Sequence, residues 1–199
     1  MRLRQFSELS RNLVLTAHSH SLRDTSNNFF VHFNAEKFRK LDPQQLSDFL
    51  RGVNCPLEFI KTNIRHRSGI EAFVDACRKD DFSDYLETYR LHNQCKKFNS
   101  TIHVMHCVAT PILIELSKLA KEHPDNLRAL LYCSRKDITA LASLSTTEIL
   151  RCIDHGFIPF TLRCGDDLIA AVEHQDRKAL LQSFLCRHAV QTSSFIAAI

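Results

Sequence analysis

The sequence predicts an all-α protein, mainly helical with short extended segments, arranged as two similar halves. Three observations carry this. Apolar residues recur at helical spacing along most of the chain. Four Gly and five Pro among 199 residues are too few for a loop-rich β-sandwich. A capped helix followed by a short extended piece occurs at 141–164 and again at 38–61.

Residues 5–22 place Phe6, Leu9, Leu13, Val14 and Ala17 on one stripe, the mark of an amphipathic helix. DTSNN at 24–28 is a turn or helix start, and 29–40 is read as helix by analogy with the second half. Asp42 then caps a helix over 43–51, and 56–61 is extended. Helices follow over 70–78 and over 81–91, where Phe82, Tyr85, Leu86 and Tyr89 share a face. The polar, basic 92–101 marks the boundary between a first domain, 1–100, and a second, 101–199.

The second half opens on a long apolar-periodic helix, 102–122, which Pro111 either kinks or starts. HPDN at 123–126 breaks it, and 127–133 and 136–144 are helical. Ser145 caps the next helix, with Glu148 three residues on completing a capping box. Gly156 closes that helix in the left-handed conformation, and Pro159 opens an extended piece, 158–162. CGDD at 164–167 starts a short helix, with Asp166 or Asp167 favourable at its amino end, and 177–190 forms a longer one. The apolar tail ending in Phe195 and Ile196 is expected to dock on the core or on a partner.

The repeat has an offset of 103. Leu41 matches Leu144, Asp42 matches Ser145, Leu46 matches Ile149 and Leu50 matches Ile153. Pro56 matches Pro159, Leu57 matches Phe160 and Phe59 matches Leu162. Few of these are identities; what repeats is the chemistry, at a period too long for a solenoid and suited to two copies of one small domain.

Eight cysteines are scattered without a Cys-x-x-Cys pair, several within apolar helical patterns. The first residues lack the apolar stretch of a secretory leader, and no run approaches a membrane span. A cytoplasmic protein with free thiols is expected, with no membrane among its partners.

Net charge is +4, and all of it lies in the first half: residues 1–100 carry 16 Lys/Arg against 12 Asp/Glu, the remainder 10 against 10. A local basic excess of this kind suits nucleic acid. Candidate DNA contacts are Lys61, Arg65, Arg67, Arg78 and Lys79 in the first half, and Arg177 and Lys178 in the second. For each, the plainer reading is an exposed solubilising side chain.

No phosphate loop, nucleophile elbow, His-Glu-x-x-His or kinase signature is present, so no catalytic residue is assigned and no enzyme is expected. Cys164 would serve as a nucleophile only beside a base, and none is readable. His92, Cys95, His103, His106 and Cys107 have loosely zinc-like spacing. In a chain with 11 His and eight Cys such clusters arise by accident, so no metal or other cofactor is assigned.

Residues 116–182 resemble the FlhD subunit of the flagellar master activator and the FlhD-type activators of conjugative elements. The carrying residues are LSKLA (116–120), LRALLYC (127–133) and LASLSTTEILRCIDHGFIPFTLRCGDD (141–167). Gln175, Asp176, Arg177 and Lys178 fall where that family has a polar, Arg-bearing helix start that contacts DNA. The family's glycine near the LLYC helix is absent, with Ser134 and Arg135 in that region, and the chain is about twice the family length. The resemblance implies an α-helical transcription-activator subunit that works with a second, FlhC-like subunit and RNA polymerase at promoter DNA. One chain of double length is then expected to imitate the homodimer as a pseudo-dimer, alone or within a homo- or hetero-oligomer. The alternative is a non-enzymatic protein-interaction adaptor with no DNA contacts of its own.

Overall fold

The computed structural model describes residues 2–23, 34–60, 68–92, 100–156 and 158–196, the side chains of 2, 88–92, 100–105 and 187–196 excepted. Within these lie eleven helices and two short strands: α1 (Arg2–Arg23), α2 (Ala35–Lys40), α3 (Pro43–Leu50), β1 (Leu57–Phe59), α4 (Gly69–Lys79), α5 (Ser83–His92), α6 (Ser100–Glu122), α7 (Pro124–Leu131), α8 (Arg135–Ala142), α9 (Thr146–Asp154), β2 (Phe160–Leu162), α10 (Gly165–His174) and α11 (Arg177–Ile196). The protein is predominantly α-helical, as its periodicity predicts. No helix among the described residues is long and apolar enough to cross a membrane.

Local chemistry sets most helix ends. The Asp42 carboxylate accepts from Gln45 N–H and caps α3, with Pro43 in its first turn. Ser145 and Glu148 form the expected capping box on α9, and Gly156 follows at φ 84°. Ser68–Glu71 and Ser134–Asp137 build the same box on α4 and α8. Pro111 lies inside α6, which continues through it. The helix read over 127–133 stops earlier, because Tyr132 itself turns left-handed at φ 52° and Cys133 lies beyond the end. A tyrosine supplies a conformation usually given by glycine. The segment 29–33, expected to be helical, lies outside the described residues.

Packing joins the two halves. α1 lies along α6; α2 and α3 pack on α1, while α7, α8 and α9 pack on α6. α4 meets α8 and α9, and α10 meets α3. One contiguous core results, drawing Phe6, Leu13, Phe49 and Phe73 from the first half and Leu116, Ile149 and Phe160 from the second. Each such fully buried side chain contributes about 1.5–3 kcal/mol relative to exposure.

The strand pair lies between the halves. β1 and β2 run antiparallel, with Leu57 opposite Leu162, Glu58 opposite Thr161 and Phe59 opposite Phe160. These two strands are the offset-103 counterparts, so the pairing is reciprocal about the Glu58–Thr161 pair. Two further bonds extend it: Ile60 N–H donates to Pro159 O at 3.0 Å, and Arg163 N–H donates to Pro56 O at 2.8 Å. Ile60 and Arg163, like Pro56 and Pro159, occupy matching positions of the repeat. Beyond the strands the offset becomes 95. α4 and α10 both end at a left-handed residue, Asp80 and Gln175, and Asp81 N–H donates to Ala76 O as Asp176 N–H does to Ala171 O.

The helix starts are also tied across the halves. Ser68 Oγ donates to Asp137 Oδ1 at 2.8 Å, while Asp137 Oδ2 accepts from Ser134 N–H and Oγ. Asn34 N–H, at the cap of α2, donates to Asp166 Oδ1 at 2.8 Å. α4 approaches β1 closely because Gly69 has no side chain: a Cβ there would lie 2.8 Å from Phe59 O.

His18 is buried on α1 with its ring edge-on to Phe38 at 5.1 Å. Burial lowers its pKa, opposed by the carbonyls of Phe38 and Leu41 and by Asp42. The folded protein therefore favours neutral His18. Stability is fully present above the ordinary histidine value of 6.5 and is lost as pH falls from there through the depressed folded value. A lower urea midpoint at about pH 5 than at neutral pH is expected, and His18→Leu should remove the part of that drop due to this residue.

Candidate functional site

The basic residues singled out in the sequence occupy two described helix ends. Arg78 and Lys79 form the last turn of α4, where cations complement the helix dipole. Arg78 Nη2 donates to Ser143 Oγ at 2.6 Å, at the end of α8, so it links α4 to the second half. Lys79, largely exposed, pairs with the half-buried Asp75 one turn back at 2.9 Å. Asp80 Oδ1 lies 3.8 Å from Arg151 Nε and 3.5 Å from His155 Nε2. Exposed pairs of this kind stabilise little and exchange readily with another anion.

Arg177 and Lys178 open α11, whose first turn is capped by Asp176 Oδ1 accepting from Lys178 N–H and Ala179 N–H. Arg177 does not simply project into solvent. Its Nη2 donates to Asp48 O at 2.8 Å and its guanidinium lies 5.7 Å from the Phe49 ring centroid. It thus sits on the carboxyl end of α3, where a cation is favourable. Gly52 makes the room: a Cβ there would come within 2.9 Å of Arg177 Nε. Lys178 is exposed beside it. Lys61, Arg65 and Arg67 lie outside the described residues.

The histidine–cysteine cluster is only partly described. Cys95 lies outside the described residues, as do the side chains of His92 and His103; His106 is half-buried and Cys107 exposed on α6. Among the described residues no group of three or more metal-ligating side chains gathers.

The described cysteines are free thiols. Burial pushes Cys77 and Cys133 up to about 12 and holds Cys152 well above the ordinary thiol value, so these three are not thiolates at neutral pH. Cys164 is buried at the start of α10, and Asp166 is engaged with Asn34.

Comparison of the chain with protein-family models, with curated proteins and with solved structures finds no match.

One charged residue that charge counting passes over is Arg163, just after β2. It is 5% exposed, its Nη1 donates to Leu130 O at 3.0 Å, and its guanidinium lies against the rings of Tyr132 and Phe184, which themselves pack 6.1 Å apart. The only trace in the sequence is an arginine where the repeat has Ile60.

Proposed function

We propose that this chain is a non-enzymatic transcription-activator subunit composed of two FlhD-like halves joined as a pseudo-dimer. It contacts promoter DNA alone or with an FlhC-like partner subunit and RNA polymerase, and works in the cytoplasm. The observation that carries the reading is the reciprocal β1–β2 pairing. The two segments that face each other across it are the repeated capped-helix units, and the second of them bears the FlhD resemblance. A family that works as a homodimer would present such a self-complementary contact between subunits; here both sides belong to one chain.

The DNA contacts belong to Lys178 and Arg177 at the start of α11, Arg78 and Lys79 at the end of α4, and Lys61, Arg65 and Arg67. Their role is phosphate neutralisation, which positions a protein on the duplex and releases counterions. Arg177 would exchange Asp48 O for a phosphate oxygen, and Lys79 would exchange Asp75.

Fluorescence anisotropy with a labelled random duplex, titrated across salt, tests this. Binding is expected to weaken steeply with salt. Lys61, Arg65 and Arg67→Ala together should lower the slope of log K against log salt by about three, and Lys178→Ala by about one. No binding at low salt would remove DNA contact from this chain acting alone. The second reading, an interaction adaptor, is favoured by the exposed Leu181 and Leu185 on α11 and by the internal partners of Arg78 and Arg177. DNA binding that needs a partner and is indifferent to these substitutions would establish it.

A further inference from the structure

Arg163 is a buried cation that makes no ion pair among the described residues. The ion pairs among the described residues involve other side chains, and its Nη2 meets no hydrogen-bond partner. A guanidinium does not escape by deprotonating. The rings of Tyr132 and Phe184, at 5.0 Å and 5.6 Å, offset part of its desolvation, but they leave Nη2 unsatisfied.

The fold does not require an arginine here. At the matching position of the repeat stands Ile60, fully buried, whose N–H makes the equivalent bond across the strand seam. An apolar side chain therefore serves the same backbone position in the first half. α11, whose Phe184 ring lies against the guanidinium, also carries two exposed leucines one turn apart: Leu181 is 54% and Leu185 63% exposed, three residues before and one residue after Phe184. Apolar groups around a desolvated arginine are the make-up of a binding hot spot.

We propose that Arg163, Leu181 and Leu185 form a docking site for an acidic, apolar segment of a partner protein. An Asp or Glu carboxylate of that segment accepts from Arg163 Nη2, and its apolar side chains cover the two leucines. Engagement turns the Phe184 ring off the guanidinium. The site is independent of DNA binding, and its occupant is set by charge: an unpaired buried cation selects a carboxylate and discriminates against a neutral isostere.

The test is NMR of the arginine side chains in the full chain, titrated with an acetylated, amidated peptide of alternating leucine and glutamate. The leucine–glutamine counterpart is the neutral control. The Arg163 Nε resonance, assigned with Arg163→Met, is expected to shift with the glutamate peptide, which should bind about tenfold more tightly than the glutamine peptide. Leu181→Ser with Leu185→Ser should weaken both peptides, and Arg163→Met should erase the preference between them. Equal binding of the two peptides to the unaltered chain overturns the proposal without recourse to any variant. So does a shift produced by inorganic phosphate with no peptide preference, which would make this a free-anion site. Concentration-dependent self-association abolished by the two leucine substitutions would also overturn it, since a second copy would then cover the face.

Discussion

Expressed as separate chains, residues 1–99 and 100–199 are each expected to lack a cooperative thermal transition, and mixing them should restore one. The apolar stripe of α1, with Phe6 and Leu13 fully buried, is covered chiefly by α6 from the other half. α4 is covered by α8 and α9, and the one ladder among the described residues has one strand from each half. A lone half would expose these faces in a chain of about 100 residues, where the balance of burial against chain entropy is already narrow. Circular dichroism of each fragment and of the equimolar mixture checks this. A fragment that melts cooperatively as a monomer would mean that its core is self-sufficient.

Phe160→Ala is expected to destabilise the intact protein by about 3–5 kcal/mol, the range for emptying a buried aromatic site. Phe160 is 1% exposed and stands opposite Phe59 in the ladder, with ring centroids 5.1 Å apart; Phe59 in turn meets Phe73 of α4 at 5.0 Å. The three rings join β2, β1 and α4, so the cavity opens where the halves meet. Urea denaturation checks the size of the effect, and Phe160→Leu should recover much of the loss because it leaves a smaller void. A loss below about 1 kcal/mol would show that the seam collapses around the missing ring.

The features legible in the sequence are those whose causes are local. Asp42, Ser145 and Glu148 announce their helices because a cap and its amide lie within one turn. The extended pieces are marked by Pro56 and Pro159, and the repeat aligns them, although the alignment alone does not encode that they pair. Tyr132 carries no such mark, since nothing in its neighbourhood distinguishes a left-handed tyrosine from a helical one. The tie from Ser68 to Asp137 spans 69 residues and depends on how α4 meets α8, which no spacing encodes. The candidate site divides in the same way. Charge patterning finds Arg177 and Lys178, yet it cannot foresee that a guanidinium will settle on the end of α3 through the space left by Gly52. It passes over Arg163, where burial matters more than charge density.

The distance along the chain between β1 and β2 has a consequence during synthesis. A ribosome adding about 5–20 residues per second takes roughly 5–20 s to travel from one strand to the other. Through that interval Leu57–Phe59 stays unpaired, and the face of α1 is uncovered until α6 has been made, so the first half emerges with a sticky edge in a crowded compartment. Its final structure must therefore wait until the last third of the polypeptide has been made, and the nascent chain offers holdase chaperones a substrate for as long as its own partner strand is missing.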